Sequence, residues 1–408
     1  MSKRFLIGSV ALLALCAGGG PATADDDWTV KWSNGFKVES ADKQFKLSFG
    51  GRVQADYTFA SADRELEDTF GADAFEDGFE FRRARLFVSG TIYERVAFKA
   101  QYDFGGGDAS FKDVWIALVQ DWGQVRFGHF KEYFSIEEQT SSKYLALLER
   151  SLPVEAFSPS RNSGVGVHGG GDRVNWGIGY FYDADDFGVS SSEDNTNLTA
   201  RVAFRPLLED EGRRLIHLGA AVSSKDTGST FRFRARPEAH FTTRLIDTGS
   251  FDADSALLLG AEIAGVFDRF WFAGEWIQND VDAPAVGDPT FDGYYAQVGF
   301  FLTDDYRRYK AGDGAFDRQK PGSPWLSDGG GGAWEIVARV SSLDLTDEGI
   351  VGGEQDNFTV GVNWYPNPAT RLMINYVNAD VDFPVEEPAG AIESASADFI
   401  LVRWQVDF

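Results

Sequence analysis

Cysteine is nearly absent from this chain, which has one Cys among 408 residues. A single cysteine cannot form an intrachain disulfide or a thiolate metal site. Basic residues are also scarce, 38 against 63 acidic ones, and the formal net charge of −25 lacks the basic footprint that nucleic-acid binding requires. No apolar run reaches the ~18 residues of a membrane-spanning helix. Nucleic-acid binding, disulfide scaffolds and helical membrane spans are therefore disfavoured.

Recognisable catalytic motifs are lacking as well. The four histidines, at positions 129, 168, 217 and 240, show no metal-ligand spacing. The sequence contains no G-x-S-x-G, H-E-x-x-H or P-loop pattern, and no nucleophile–base pair is evident. We therefore expect no enzyme activity, no catalytic residues, no metal and no cofactor.

The N-terminus has the features of an export signal. Two basic residues precede an apolar stretch, 5–17, and small residues at 22–24 fit cleavage before Asp25. We predict that residues 1–24 are a signal peptide and that 25–44 form an N-terminal periplasmic segment.

Most of the remaining sequence alternates between apolar and polar residues. In the last segment, Val402 and Trp404 share one face and Arg403 and Gln405 the other. This period of two predicts half-buried β-strands. Residues 125–131 are an exception, since they assign poorly to either face. Sixteen strands are predicted, at 45–59, 79–93, 96–104, 110–120, 123–132, 163–169, 173–182, 196–204, 214–224, 255–267, 270–279, 291–302, 333–343, 356–365, 370–379 and 398–408.

The connections between these strands differ in length in a regular way. A sandwich would also alternate, so the connections carry more information about the fold than the alternation does. Several turns have two to four residues, whereas most of the intervening connections are long: 60–78, 133–162, 183–195, 225–254 and 380–397. Short periplasmic turns and long extracellular loops are typical of an outer-membrane barrel, in which closure pairs every backbone group. We predict an all-β, transmembrane antiparallel β-barrel of 16 strands over 45–408. The connection 303–332 departs from the rule, being long on the short-turn side.

Acidic residues concentrate in four of the predicted loops. The segments 60–78, 183–195, 280–290 and 380–397 hold twenty acidic residues and one basic residue. Two interpretations stay open: solvation with mutual repulsion of exposed loops, or bridging through divalent cations to outer-membrane lipid and lipopolysaccharide. Neither makes the lumen negative, because exposed charges beyond ~8–10 Å are largely screened at physiological salt.

Three arginines alternate with apolar residues in the connection 225–254. Extended backbone places Arg232, Arg234 and Arg236 on one face at ~6.6–7 Å spacing. Guanidiniums keep their charge and match phosphate oxygens, so such a row inside a lumen passes an anion between weak sites. An arginine face paired with Glu238 and neighbouring loop acids explains the pattern equally well.

The connection 133–162 contains a helical pattern over about 137–152. Within it, Lys143 and Arg150 lie seven residues apart, near one face of a helix. A short amphipathic segment of this kind either folds into the barrel and narrows it or forms an ordinary extracellular flap.

Several short motifs spread over 45–408 resemble the phosphate-selective porin O/P family. They are Phe81–Leu86, Tyr102–Gly107 with Lys112-Asp113, Gly128–Ser135, Glu149–Pro153, Arg236–His240, Gly332–Glu335 with Ser341–Leu345, and Gly361–Asn367. The resemblance implies a sixteen-stranded, homotrimeric outer-membrane channel for phosphate or polyphosphate. An arginine ladder would lead anions to a lysine-bearing constriction made by an inward-folded third loop.

The resemblance also implies roles for individual residues. The anion path would comprise Arg232, Arg234, Arg236, Arg83, Arg85 and Arg82, although period two puts Arg82 on the other face from Arg83 and Arg85. Lys143 and Arg150 would form the constriction, and Phe408 would be the C-terminal signal for the barrel-assembly machinery.

Two classes of function follow from these expectations. The first is a passive, anion-preferring channel for phosphate or other small anions, with a weakly selective general porin as a variant. The second is a barrel with little conductance whose acidic loops act as an adhesin or stabilise the envelope.

Overall fold

The computed structural model describes residues 28–33, 35–190, 195–226, 230–326, 329–382 and 394–408. The predicted signal peptide, 1–24, and part of the acidic loop 380–397 lie outside these ranges. Among the described residues, no helix has the length and apolarity needed to cross a membrane.

Sixteen antiparallel strands within these ranges form one closed sheet. They are β1 Lys46–Ala62, β2 Gly78–Ile92, β3 Val96–Asp103, β4 Ser110–Gln120, β5 Gly123–Lys131, β6 Arg161–Gly170, β7 Val174–Tyr182, β8 Thr196–Glu209, β9 Arg214–Asp226, β10 Ser255–Phe267, β11 Phe270–Asp282, β12 Thr290–Phe301, β13 Ala333–Asp347, β14 Ile350–Asn367, β15 Thr370–Asp382 and β16 Ala395–Asp407. Each strand pairs with the next, and β16 closes on β1 from Ala397↔Ala62 to Asp407↔Arg52. The predicted sixteen-stranded barrel is confirmed.

The alternation along the strands places apolar side chains outside and polar ones inside. On β16, Trp404 is 50% exposed and Ile400 48%, whereas Arg403 is fully buried and Gln405 nearly so. A soluble sandwich would bury the apolar face and expose the polar one. An apolar exterior around a polar interior suits a cylinder surrounded by lipid.

The N-terminal residues and the C-terminus meet at the short-turn end of the barrel. A hairpin of Thr29–Trp32 and Phe36–Glu39 pairs with the start of β1. Phe408 follows β16, and its carbonyl accepts a 2.6 Å hydrogen bond from the backbone N–H of Gly51. A Cβ on Gly51 would lie 2.8 Å from the Phe408 ring, so only glycine allows this approach.

The interior is filled by connections that fold into the barrel. The described helices are short: α1 Arg64–Phe70, α2 Ile136–Gln139 and α3 Leu152–Phe157, with 3₁₀ turns at Ala72–Phe75, Asp210–Gly212 and Ala311–Asp313. Two-residue strands pair Thr230–Phe231 with Phe251–Asp252, Arg234–Ala235 with Ile246–Asp247, and Tyr309–Lys310 with Ala315–Phe316. A large apolar cluster joins α3 and these loops to the inner faces of strands, through residues such as Leu152, Phe231, Phe233 and Phe291.

The predicted helix over about 137–152 is wrong. Helix α2 ends at Gln139 and α3 begins at Leu152, with no helix between them. The intervening carbonyls of Leu145 and Leu148 accept hydrogen bonds from arginines of the barrel wall. Because side chains of the wall satisfy this backbone, a helical hydrogen-bond ladder is not needed there.

Candidate functional site

The connection between β5 and β6, which we call the constriction loop (132–160), crosses the lumen. At its start, Ser135 Oγ and the backbone N–H groups of Ile136 and Glu137 all donate to the carboxylate of Glu275 on β11, at 2.9–3.1 Å. Four such contacts, counting the Tyr295 hydroxyl at 2.8 Å, satisfy this buried carboxylate. The loop is therefore attached to the barrel wall at β11, six strands away from β5, the strand from which it leaves.

The middle of the constriction loop is fixed by polar side chains of β1, β14, β15 and β16. These side chains donate to successive carbonyl groups of the loop: Gln54 to Ser142 O, Gln405 to Lys143 O, Arg371 to Leu145 O, Asn363 to Ala146 O and Arg403 to Leu148 O. Two of these five donors are arginines of the lumen, Arg371 and Arg403. Arginines of the lumen therefore have a structural role, since they hold the constriction loop.

Glu149 of the constriction loop collects three arginines. Its carboxylate accepts two 2.9 Å hydrogen bonds from Arg82, one of 2.7 Å from Arg403, and lies 3.5 Å from Arg83. The register of β1 and β2 shifts at Gln54, where Arg82 is the extra residue of a bulge. The bulge turns Arg82 and Arg83 to the same side, so the expectation that period two separates them is wrong.

A cavity of ≈680 Å³ lies beside this loop and is strongly basic. Eleven lysines and arginines line it, against two aspartates, Asp113 and Asp313. The basic residues are Lys46, Arg52, Arg83, Arg85, Lys99, Arg126, Lys131, Lys143, Arg150, Arg161 and Arg201. The charge of this cavity is thus opposite to the net charge of −25 of the chain.

Two of these cations, Arg52 and Arg126, have no carboxylate within 4 Å among the described residues. Arg52 donates to Ser142 Oγ at 2.6 Å. Arg126 lies 3.1 Å from His168 Nε2, and its guanidinium is 4.3 Å from the Trp115 ring centre. Both were missed from the sequence. Arg52 was detectable because it shares a polar strand face with Gln54, two residues further on. Arg126 was not, because it lies on β5, where the alternation gives no clear face.

Lys143, the predicted constriction lysine, lines the same cavity. Its Nζ lies 3.6 Å from Asp407 Oδ2. Burial in the loop lowers the pKa of Lys143 to about 8, since desolvation disfavours the charged ammonium more than the nearby carboxylate favours it. The charge of this lysine therefore depends on pH near the physiological range.

A second cavity, of ≈210 Å³, brings together three of the predicted site residues: Arg82, Arg150 and Arg236. Arg150 lines both this cavity and the larger one, so the two adjoin at its side chain. Arg236 lies 3.6 Å from Glu155, and burial raises the pKa of Glu155 to about 7. This cavity forms a vestibule on the long-loop side of the constriction loop.

The remaining arginines of the predicted row lie apart from this vestibule cavity. The alternation is as expected, with Phe231, Phe233 and Ala235 buried. Arg232, however, forms a bidentate pair with Asp247 at 2.5–2.7 Å, and Arg234 lies opposite Asp247 in the register. Glu238, the expected partner of the row, instead accepts from Arg339, Ser341 and Thr359.

The long connection 303–332 enters the lumen from the short-turn end. Its hairpin, Tyr309–Phe316, which we call the finger, packs Phe316 against Trp271 with ring centres 5.7 Å apart. The Phe316 N–H donates to Thr140 Oγ1 of the constriction loop at 3.3 Å. The pattern of short turns does not explain the length of this connection. In the structure its additional residues fill the barrel beneath the constriction loop.

Shortening the finger is expected to widen the pore. Replacing residues 310–315 by two glycines removes the turn that reaches Asn175, whose side chain donates to Gly312 O at 2.8 Å, and leaves the barrel strands intact. Larger single-channel steps in planar bilayers would confirm this prediction. Unchanged steps in a folded, heat-modifiable barrel would contradict it. Deletion of Gly106 and Gly107, two exposed residues of a turn, is the control.

Comparison with known proteins agrees with this architecture. The family model "Phosphate-selective porin O and P" matches residues 47–408. An uncharacterized protein of Caulobacter vibrioides is 31% identical over 87% of this chain and 72% of its own. Porin O of Pseudomonas aeruginosa is 27% identical over 94% of this chain and 95% of its own. The anion-selective porin from Comamonas acidovorans has the same fold, with a TM-score of 0.55 and 15% identity over 89% of this chain and all of that one. The chain belongs to the phosphate-selective porin O and P family.

Proposed function

We propose that this outer-membrane channel conducts small anions in preference to cations, and phosphate or polyphosphate among them. The observation that supports the proposal is the ≈680 Å³ cavity beside the constriction loop, with its eleven basic and two acidic lining residues. A low-dielectric wall strengthens the attraction between these cations and a passing anion.

The proposed path runs from the vestibule cavity into the large cavity. An anion leaves Arg236 for Arg82 and Arg150, and then meets Arg83, Arg85 and Arg52. Arginines offer a planar fork of donors that matches phosphate oxygens. Several sites of moderate strength allow the ion to leave as well as to bind, which conduction requires. Lys143 adds one titratable charge to the same wall.

Weak selectivity is the second candidate, and the ion pairs favour it. Nine of the eleven cavity cations lie within 4 Å of a carboxylate, for example Arg85 with Asp103 at 2.6 Å and Arg161 with Asp113 at 2.8 Å. Such pairing lowers the charge that a solute experiences. A weakly selective general porin would show a modest chloride preference and no saturable phosphate site.

Planar-bilayer recordings distinguish these candidates. Under a KCl gradient, the reversal potential is expected to have the sign of anion preference. Phosphate added to chloride solutions is expected to reduce the chloride current in a saturable way if phosphate selectivity holds. Cation preference of the wild type would overturn the proposal, and conductance near zero would favour the adhesin or envelope-stabilising barrel.

The charge of Lys143 predicts a pH dependence of selectivity. Since its pKa is lowered to about 8, Lys143 is charged below that pH and neutral above it. Raising the pH from 6.5 to 9.5 is therefore expected to reduce the anion-to-cation permeability ratio by about twofold to fivefold. Lys143→Arg, which stays charged, is expected to remove the part of this change centred near pH 8 and to leave the part due to Glu155, whose pKa is raised to about 7. A change near pH 8 that persists in Lys143→Arg would assign it to another group.

Assembly and partners follow from the same family membership. We propose that this chain forms a homotrimer and contacts outer-membrane lipid and lipopolysaccharide. We also propose that the barrel-assembly machinery recognises Phe408. No nucleic-acid partner and no cofactor are part of the proposal.

A further inference from the structure

One basic residue of the large cavity, Arg126, is not part of the proposed path. It lies on β5, four strands and about 19 Å along the sheet from Arg52 on β1. Strand β5 begins at Gly123, directly after a short turn, so Arg126 lies about 10 Å along the strand from that turn. Arg126 is therefore near the short-turn end of the lumen, whereas the proposed path starts at the long-loop end.

The guanidinium of Arg126 is stacked on aromatic rings. Its carbon Cζ lies 4.3 Å from the ring centre of Trp115 and 5.1 Å from that of Phe130. Trp115 projects from β4, the neighbouring strand, and both Trp115 and Arg126 are half-buried. The rings fix the plane of the guanidinium in advance, so less conformational entropy is lost when it binds an anion.

His168 on β6 fixes one edge of the same guanidinium. Nη2 of Arg126 donates to His168 Nε2 at 3.1 Å. Since arginine can only donate, Nε2 accepts, and the neutral imidazole carries its proton on Nδ1. Nη1 of Arg126 has no hydrogen-bond partner among the described residues, and it is not one of their buried unpartnered atoms. The Nη1 donors are therefore open to the cavity that Arg126 lines.

The two acidic residues that line the cavity are paired with other cations. Asp113 accepts from Arg161 at 2.8 Å, and Asp313 accepts from Lys310 at 2.7 Å. Neither lies within 4 Å of Arg126, which has no carboxylate at that distance among the described residues. The charge of Arg126 is thus not offset by a direct ion pair.

The tip of the finger bounds the same part of the cavity. Gly312 and Asp313 line it beside Arg126 and His168. The tip is held in place by the side chain of Asn175, which donates to Gly312 O at 2.8 Å. The aromatic and imidazole supports of Arg126 on one side and the fixed tip on the other make this a rigid part of the lumen.

We propose that Arg126, held by Trp115 and His168, is a second binding site for small oxyanions, on the short-turn side of the constriction loop. Its ligand is an anion with two oxygen atoms on one centre, a phosphate or a carboxylate, because the Nη groups of a guanidinium donate two parallel hydrogen bonds to such a pair. Chloride meets the charge but cannot use both donors in this way. The inference rests on the proposed anion channel and adds the repeated binding that conduction requires.

Inhibition of the chloride current by inorganic phosphate and by acetate in planar bilayers tests this inference. Arg126→Lys keeps the charge but loses the planar fork and its stacking, so the half-inhibiting concentration of each oxyanion is expected to rise about fivefold. The anion-to-cation permeability ratio in a KCl gradient is expected to change less than about twofold, because the charge is conserved. Arg95→Lys is the matched control: Arg95 lies in an exposed turn at the same end, pairs with Asp121 at 2.9 Å, and should change neither quantity.

A second variant keeps the test decisive if Arg126→Lys fails to fold. Trp115→Leu leaves Arg126 without its main aromatic support and is expected to raise the same half-inhibiting concentrations. Wild-type concentrations in whichever variant folds, or an effect on only one of the two oxyanions, would overturn the site. An equal loss of oxyanion inhibition and of anion preference in Arg126→Lys would also overturn it.

The wild type separates this site from the proposed channel function. Anion preference in a KCl gradient without inhibition by either oxyanion would overturn the Arg126 site and leave the anion channel standing. Cation preference, together with oxyanion inhibition that Arg126→Lys weakens, would overturn the channel proposal and support the site.

Discussion

Replacing Arg52 by glutamate is expected to abolish or reverse the anion preference of the channel. Arg52 lines the large cavity and has no carboxylate within 4 Å among the described residues, so no direct ion pair offsets its charge. One unit charge about 8 Å from an ion contributes about 2 kcal/mol at an effective dielectric of 20. Since the exchange changes the wall by two charges, the anion-to-cation permeability ratio should fall at least about tenfold in reversal-potential measurements.

Two further variants show whether the effect belongs to the charge of Arg52. Arg52→Gln retains a donor for Ser142 and removes one charge, so an intermediate ratio is expected. Arg95→Glu makes the same charge change in an exposed turn, where Arg95 pairs with Asp121, and is expected to leave the ratio nearly unchanged. Equal ratios in wild type and Arg52→Glu would contradict the proposed path.

The strands were predictable because the physical constraint on them is local. Every second residue of a lipid-spanning strand faces hydrocarbon, so pairs such as Arg403 and Trp404 record their two environments directly in the sequence. The bulge at Arg82 was not predictable, because one extra residue changes the face of a side chain without changing the composition. The period-two alternation therefore predicted the strands of the barrel. It assigned one residue of the proposed path, Arg82, to the wrong face.

The interior depends on contacts between distant parts of the chain. The constriction loop had a helical pattern, but its carbonyls bond to residues more than 80 positions away, such as Gln54 and Arg371. The finger meets the loop through Phe316 and Thr140, again far apart in sequence. The number of basic residues indicated an anion site from the sequence. Only the folded structure distinguishes the roles of two arginines: Arg52 has no carboxylate partner among the described residues, whereas Arg403 holds the loop.

Glu149→Gln is expected to destabilise the barrel, because Glu149 is the partner of arginines that hold the constriction loop. Glu149 is contacted by Arg82, Arg83 and Arg403, of which Arg403 is fully buried. Removing one partner of a buried charge pair costs about 3–5 kcal/mol, because the other charge stays buried without compensation. Asp56 still pairs with Arg403 in this variant, so the expected loss is at the lower end of this range. We expect the free energy of unfolding to fall by about 3 kcal/mol, measured by urea unfolding in lipid vesicles.

The same change should alter the current in a characteristic way. With one anchor of the constriction loop weakened, the open-channel current noise is expected to rise, while the additional positive charge maintains or increases the anion preference. Glu65→Gln, in the exposed first loop, is the control and should change neither quantity. If the variant has the same free energy of unfolding and the same current noise as the wild type, Glu149 does not anchor the loop. The arginines around it would then be held by their remaining contacts.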